Sequence, residues 1–422
     1  MLLTLVALPQ HRAKPTSRIL MLKAKVPLRE QKRSMRFAFI TTMLGAPWGG
    51  SEELWSQSAI LLKRSGHEVC ALVPHRPRLS EKVQRLAQQG IKVRTYPAPS
   101  FLAGPVRYYY DKLSLSTRRT YSWLKQFSPD LVMISQGEIV GGLDWARACR
   151  VASIPYAIIL HWNSESSWFD RNEIDDAVAS YTAARNVFCV SRSNLSLLRL
   201  QLGESLANAE LVWNPYNVST EVVPVWPDDN DPWRIACVGR LDPSAKGQDI
   251  LLQAMALTHW RKRPIEVSFF GEGPYEPALR RMASMLQLKN IQFRGHVNDV
   301  MAIWSQHHLL ALPSRSEGLP LVLVESMWCG RPAVVTDVAG NAELCEDGET
   351  GFVAQSATLS SFAEALERAW AARTKWKKMG EAARARAETL IPVDPIGIFC
   401  ERLRACASGK SDPVSTAPGK GC

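Results

Sequence analysis

The sequence predicts an α/β protein with two doubly wound parallel-sheet domains, and three observations carry that prediction. Short apolar runs rich in Val, Ile, Phe and Leu alternate with helix-like stretches along most of the chain. That alternation marks right-handed βαβ units, whose sheet is covered on both faces. At 422 residues the chain is long enough for two cores, and TEVVPVWPDDNDP (220–232), with three prolines and an acidic run, interrupts the alternation near the middle. Finally, PSRSEGLPLVLVESMWCGRPAVVTDVAG (313–340) leaves a strand end, turns into a helix start and returns to a strand. Open α/β sheets hold their ligands at such places.

Composition narrows the class. The apolar share of 46% and charged share of 22% are those of a globular protein. No apolar run reaches the about 20 residues that span a bilayer. Leu2 to Leu8 is apolar, but its charges follow it, the wrong order for a signal peptide. None of the nine cysteines forms a CxxC pair, and Cys70, Cys189 and Cys237 fall inside strand-like runs. They read as small buried hydrophobes in a reducing cytoplasm, with neither zinc nor disulfides. The net charge is +11, but residues 1–34 carry eight Lys/Arg against Glu30 alone and so supply +7 of it. That stretch reads as a disordered basic extension upstream of Met35. What remains gives little support to nucleic-acid binding.

Taken in order, Arg36 to Thr42 is the first strand. In APWGGSEE, Pro47, Gly49 and Gly50 form a turn and Ser51 is the expected N-cap of a helix, together a candidate phosphate cradle. Gly66 to Pro74 and Ile91 to Thr95 are strands, with a helix from Glu81 to Gln89 between them. Asp130 to Ile134 and Pro155 to Leu160 follow, separated by a helix from Ile139 to Arg150. Asn186 to Val190 and Glu210 to Val212 are the last strands of this half. Val106 to Phe127 spaces Tyr, Leu, Trp and Phe helically. It sets Arg107, Lys112, Arg118, Arg119 and Lys125 against Asp111, an outer helix with a basic face. Such a face suits solvent or the surface of an anionic membrane. His161 lies just past the fifth strand, and Trp48, Trp162 and Trp168 also follow strand ends.

The first domain is expected over 35–215, a linker over 216–231 and the second domain over 232–392. A helix over 393–407 and a loose tail over 408–422 follow. Trp233 to Val238 opens the second domain and runs into GRLDPSAKGQD, where Arg240 and Lys246 stand six apart on a turn. Two such cations can neutralise a departing pyrophosphate without a metal. Strands follow at Ile265 to Phe270, Ile291 to Gly295 and His308 to Leu312, with a helix beginning in GEGPYEPAL and another over Val297 to Gln306. Ser314 to Gly318 is a polar loop carrying Glu317, and Leu321 to Trp328 is a helix carrying Glu325. Gly330 ends that helix, and Pro332 to Thr336 is a buried strand. The N–H groups of Gly318, Leu319 and Leu321 at the helix start favour a phosphate anion. A short helix by Glu343, a Gly-bounded strand in DGETGFVA, and helices over Ser360 to Ala372, Lys375 to Ala387 and Pro395 to Leu403 complete the chain.

Glu317, seven intervening residues and Glu325, followed by G-x-P-x-V-x-T (330–336), resemble the retaining glycosyltransferases of family 4, which have the GT-B fold. G-R-L-x4-K-G (239–247) is similar to that family's phosphate-binding turn. The resemblance covers about 36–405 and is strongest over 235–353. It implies two Rossmann-like domains facing across a cleft. The second would hold a nucleotide-diphosphate sugar, and the first a glycan, lipid-linked or small-molecule acceptor. It implies retention of anomeric configuration, no metal and no cofactor. By the same resemblance Glu317 holds sugar hydroxyls and Glu325 the ribose, while Arg240, Lys246 and the helix start stabilise the leaving diphosphate. Gly49 and Gly50 approach the donor phosphates, Arg294 and Gly295 lie near the base, and His161 lies near the donor sugar. The expected location is cytoplasmic, with peripheral contact to the inner face of a membrane as an option.

The chain departs from the family pattern at Trp162, where an Asp often follows the His, and at Pro215, where Gly usually follows the Asn. Those departures keep a non-catalytic carbohydrate-binding relative in view. A nicotinamide-dependent oxidoreductase is the weaker alternative, because no G-x-G-x-x-G follows a strand with an acid about 20 residues on.

Overall fold

A computed structural model describes residues 33–43, 48–96, 115–228 and 232–409 of the chain. The basic extension over 1–32, Pro47 of the first turn, residues 106–114 with Arg107 and Lys112, the linker end at 229–231, and the tail from 410 lie outside the described residues. So do the side chains of 115–120, Arg118 and Arg119 among them.

Strands that read as unbroken apolar runs belong inside a parallel sheet covered on both faces. The first sheet is built from β1 (Arg36–Thr41), β2 (Glu68–Pro74), β3 (Lys92–Tyr96), β4 (Leu131–Gln136), β5 (Tyr156–Leu160), β6 (Val187–Cys189) and β7 (Ala209–Leu211), in the order β3-β2-β1-β4-β5-β6-β7. Every residue of β4 and β5 is buried. The second sheet contains β8 (Trp233–Val238), β9 (Ile265–Phe270), β10 (Ile291–Gly295), β11 (Leu309–Leu312), β12 (Ala333–Thr336) and β13 (Gly351–Ala354), in the order β10-β9-β8-β11-β12-β13. All these pairings are parallel. Phe37 sits opposite both Val69 and Leu131, and Ile235 opposite both Val267 and Leu309. In each sheet the winding reverses beside the opening strand, between β1 and β4 and between β8 and β11. The carboxyl ends of those strands therefore border the crevice of each lobe.

Several boundaries differ from the sequence reading, for local reasons. The first helix is Gly50–Arg64 and its N-cap is Gly49, in extended conformation, not Ser51. The Ser51 hydroxyl turns to the Met43 sulfur instead. The helix expected from Ile139 starts at Leu143, because Gly142 takes a left-handed φ of 81° and the Ile139 carbonyl accepts the Tyr181 hydroxyl. The helix expected over Val297 to Gln306 shrinks to Val300–Trp304, set by an Asp299 cap on the Ala302 N–H. Helices Ile174–Thr182, Arg192–Leu202 and Gln248–Ala256 were not anticipated.

The chain passes between the lobes twice. The helix Pro395–Ser408 packs on the first lobe, with Phe399 edge-on to Phe188 at 5.1 Å and the Cys400 sulfur 3.6 Å from the Ser58 carbonyl. The linker is fastened to the second lobe from Tyr216 onward. Tyr216 stacks on Trp328, and Arg384 donates to the Trp328 and Thr220 carbonyls, both at 2.6 Å. Arg331, only 1% exposed, donates to the carbonyls of Val225, Trp304, His307 and Cys329 and faces the Trp226 ring. Burial lowers its guanidinium to about 10, and carbonyl dipoles rather than a carboxylate compensate the charge. The crossings lie at about 213–215 and 391–394, and the Tyr216 hydroxyl joins them by donating to the Pro392 carbonyl at 3.1 Å. A cavity of about 320 Å3 lined by Pro215, Tyr216, Val393 and Asp394 lies beside them.

Eight cysteines among the described residues are unpaired, seven of them buried. No described helix is long and apolar enough to cross a membrane.

Candidate active site

The crevice of the second lobe is assembled from the exits of β8 and β11. Gly247, at a left-handed φ of 63°, closes the short helix Pro243–Lys246 so tightly that a Cβ there would stand 1.9 Å from the Pro313 carbonyl oxygen. The Ala245 carbonyl then accepts the N–H groups of Arg315 and Ser316 at 2.8 and 3.0 Å, which seats the loop carrying Glu317 on this turn. As a result the Lys246 ammonium lies 2.7 and 2.8 Å from the two carboxylate oxygens of Glu317. Ser314 adds a hydroxyl at 2.7 Å to the same carboxylate, which is 5% exposed. Arg315 forks onto Asp249 at 2.6 and 2.8 Å and braces the loop from outside.

Arg240 is half-exposed and donates to Asp242 at 2.8 Å, while its carbonyl accepts from Gln248. Gly271 and Gly273 pack against this turn, with Cβ positions 2.1 Å from the Gly239 oxygen and 2.3 Å from the Leu241 oxygen. The Gly295 carbonyl accepts the Gly271 N–H at 2.8 Å, so Arg294 and Gly295 extend the same row by one strand. Arg294 is exposed there and touches neither Lys246 nor Glu317.

The helix Leu321–Trp328 begins at the end of the loop, with Pro320 as its N-cap. The N–H groups of Gly318, Leu319 and Leu321 have no acceptor among the described residues. Such a helix start carries partial positive charge. Leu319 is buried beneath Gly340, whose N–H donates to the Gly318 carbonyl.

The first lobe closes over this arrangement. A Cβ on Gly318 would lie 1.9 Å from the His161 carbonyl oxygen, and one on Gly50 would lie 3.1 Å from the Leu321 side chain. The Trp162 indole N–H donates to the Ser316 hydroxyl, so this indole ties the lobes rather than standing open for a ligand. Trp48 is likewise engaged, bonded to Glu53 and packed on Trp55. Trp168 remains 62% exposed. His161 is 6% exposed, and neither ring nitrogen has a partner among the described residues. Burial depresses it to about 3, which keeps the imidazole neutral.

Glu325 stands apart from the Lys246–Glu317 pair. Its Oε1 accepts the Asn217 backbone N–H at 3.1 Å and the Asn217 side-chain N–H at 3.4 Å. Burial pushes its carboxyl up to about 7 against the opposing effect of those bonds.

The structure therefore joins Lys246, Glu317, Gly318 and His161 in one place and puts Gly50 against Leu321. Arg240 lies beside them, and Arg294 and Gly295 at their margin. Sequence reasoning missed Ser314, Asn217 and Glu343. Glu343 accepts the N–H groups of Arg192 and Ser193 at 3.0 and 2.7 Å, capping the helix Arg192–Leu202 across the lobe boundary. The pattern Ser-Arg-Ser-Asn after β6 announces a helix start, but not which segment supplies the anion.

Comparisons with known proteins identify the family and the fold. Residues 48–220 match the model described as Glycosyltransferase Family 4, and residues 232–372 match that of Glycosyl transferases group 1. Among curated proteins, the chain is 30% identical over 170 residues to D-inositol 3-phosphate glycosyltransferase of Gordonia bronchialis, a stretch covering 36% of each chain. It is 31% identical over 163 residues to a GDP-mannose-dependent monoacylated alpha-(1-6)-phosphatidylinositol monomannoside mannosyltransferase of Corynebacterium glutamicum, covering 36% of this chain and 42% of that one. These matches thus span about two fifths or less of the relatives' lengths. HepE of Anabaena in complex with UDP superposes with a TM-score of 0.69 at 20% identity, over 88% of this chain and all of that one. Sucrose-phosphate synthase from Thermosynechococcus elongatus does so with a TM-score of 0.69 at 19% identity, over 89% of this chain and all of that one. These likenesses establish the GT-B fold, and the family matches favour the glycosyltransferase reading over the oxidoreductase alternative. With a family match in each lobe and this fold, the chain belongs to the group 1, family 4 glycosyltransferases.

Proposed function

We propose that the protein transfers a hexose, with retention of anomeric configuration and without a metal, from a nucleoside-diphosphate sugar to a hydroxyl of a glycan, a lipid-linked acceptor or a small polyol. The observation that carries this reading is the Lys246–Glu317 pair at the crevice, with Arg240 on the same turn and the amides of Gly318, Leu319 and Leu321, which have no acceptor among the described residues, leading into a helix. An ammonium has three protons, and two face Glu317, which leaves one for a phosphoryl oxygen.

On this reading the diphosphate lies against Lys246, Arg240 and the helix start. Those fixed positive groups take up the charge that grows on the leaving oxygen. Glu317 accepts from hydroxyls of the transferred sugar, and Glu325 from the ribose. Arg294 and Gly295 border the base, and Gly49 and Gly50 border the phosphates from the first lobe. His161 offers a neutral imidazole and its carbonyl beside Gly318. The bond from the sugar's C1 to the phosphate oxygen breaks as the acceptor oxygen bonds C1 on the same face. The acceptor's proton passes to the departing phosphate.

HepE was solved with UDP-glucose, and the Corynebacterium relative is GDP-mannose-dependent. UDP and GDP hexoses are therefore the first donors to try. The relatives named above act on an inositol phosphate and on a phosphatidylinositol mannoside, so a polyol acceptor, free or lipid-linked, suits this chain. A lipid-linked acceptor would place the protein in the cytoplasm against an anionic inner leaflet. Sedimentation with phosphatidylglycerol vesicles at low salt tests that arrangement, and no binding would remove it.

The direct test incubates the protein with a panel of sugar nucleotides and follows free nucleoside diphosphate, then reads the product's anomeric configuration by NMR. We expect turnover that survives EDTA and a retained configuration. An inverted product or loss of activity with chelator would contradict the mechanism. No release from any donor would favour a non-catalytic binding relative.

A further inference from the structure

Glu325 meets Asn217 where the linker crosses the helix Leu321–Trp328. The carboxylate is 5% exposed, and no Lys, Arg or His pairs with it among the described residues. Both Asn217 donors converge on Oε1, at 3.1 and 3.4 Å, and Oε2 accepts no hydrogen bond among the described residues. Leu321 lies one turn before Glu325 on the same helix face, and its side chain packs 3.1 Å from a Cβ built on Gly50. That face is therefore turned toward the first lobe. Asn217 itself is held in place. Its neighbour Tyr216 stacks on Trp328 of the same helix, and three residues later Arg384 grips the Thr220 carbonyl.

We propose that Asn217 is a positioning residue for nucleotide recognition: by engaging Oε1 it orients Glu325 so that Oε2 is presented to a ribose hydroxyl of the donor. This rests on the donor reading given under Proposed function. It assigns a role to a linker residue and makes the linker part of the nucleotide site. An exposed Asn with both donors on one carboxylate oxygen restricts carboxylate rotation, and the fastened linker keeps the pair in register.

The test measures affinities of UDP, GDP and 2′-deoxy-UDP for the full-length protein by calorimetry, in the wild type, Asn217→Ala, Asn217→Ser, Glu325→Ala and the Asn217→Ala/Glu325→Ala double variant. Asn217→Ala should weaken UDP or GDP about fivefold. It should also shrink the preference for UDP over its 2′-deoxy form and raise the donor KM with kcat little changed. Asn217→Ser retains a donor and should recover most of the affinity. Because Asn217 acts through Glu325, the double variant should bind no more weakly than Glu325→Ala alone. The proposal is overturned if Asn217→Ala binds nucleotides as the wild type does, or if the losses in the double variant add. A different result, Glu325→Ala binding as tightly as the wild type or a wild type that binds neither UDP nor GDP, would overturn the donor reading itself.

Discussion

Glu317 and Glu325 lie eight positions apart, and each is 5% exposed. Their surroundings are opposite. Glu317 sits in a loop where a short helix from the β8 exit delivers an ammonium to both its oxygens. Glu325 sits on a helix where the linker delivers only amide N–H groups to one oxygen. Desolvation is alike at the two positions, so the partner decides the electrostatics. With no cation beside it, Glu325 is pushed up to about 7 by burial. The difference teaches that one motif can supply two carboxylates in distinct settings: one locked into a charged cluster, the other held through one oxygen by amide N–H groups of the linker.

The largest effect should come from the cation that separates the two cases. Lys246→Ala removes the only ammonium facing Glu317 among the described residues and the charge proposed to meet the diphosphate. Loss of one such stabilising group costs roughly 100- to 1,000-fold in kcat. Steady-state release of nucleoside diphosphate measures it, and near-normal turnover would break the comparison at its root.

Neutralising each carboxylate in turn sharpens it. Glu325 has a folded value of about 7 against an ordinary 4.5. The folded state therefore holds a proton that the unfolded chain releases at lower pH. Stability is unpenalised below about 4.5, falls as pH rises from there to about 7, and stays lowered above, by up to roughly 3 kcal/mol. Glu325→Gln should thus stabilise the apo protein at pH 8 by a few kcal/mol at most and change little at pH 4.5. Glu317→Gln should do the reverse at pH 8, destabilising by about 1–3 kcal/mol because Lys246 loses its partner. Urea denaturation at the two pH values reads both. Glu52 is also buried and pushed up to about 7, so the wild type carries a second contribution of the same sign and only differences between variants isolate Glu325.

Much of this was legible in the chain, and the limits are physical. β8, β9, β10 and the helix Leu321–Trp328 were read to the residue, because β8 and β9 are mostly buried runs, β10 ends at Gly295 with a left-handed φ of 71°, and the short helix is ended by Gly330. Helices Ile174–Thr182 and Arg192–Leu202 were missed, since both are short and mix polar residues with apolar ones, which blurs the helical period. The candidate residues of the contiguous motif were legible as a group. What one sequence does not display is which distant segment meets them. Lys246 facing Glu317, 71 residues apart, follows from two turns stacked at the reversal point. Asn217 on Glu325 depends on how the linker folds back onto the second lobe, and Glu343 on the Arg192 helix on how the lobes seat, and no spacing encodes either.

A backbone device holds the Glu317 side of the comparison and has no counterpart at Glu325. Gly247→Ala would set a methyl 1.9 Å from the Pro313 oxygen at a φ of 63°. We expect a loss of roughly 2 kcal/mol or more in urea denaturation, with activity lost alongside as the Lys246 turn shifts. Stability equal to the wild type would mean that the turn has room the structure does not show.

The smallest expected effect falls on the tie beside Glu317. Trp162→Phe keeps an aromatic ring at that position but deletes the indole N–H that reaches Ser316. One hydrogen bond between half-buried groups is worth about 1 kcal/mol. The bond spans the lobes, so its loss should weaken closure more than folding: the melting temperature of the apo protein should move by a few degrees at most, and the donor KM should rise severalfold. Nucleotide binding in Asn217→Ala should respond to Trp162→Phe additively, because one tie holds the loop that carries Glu317 and the other holds Glu325. Strong coupling between them would show that the Glu317 loop and the linker move as one body, and would merge the two environments contrasted here.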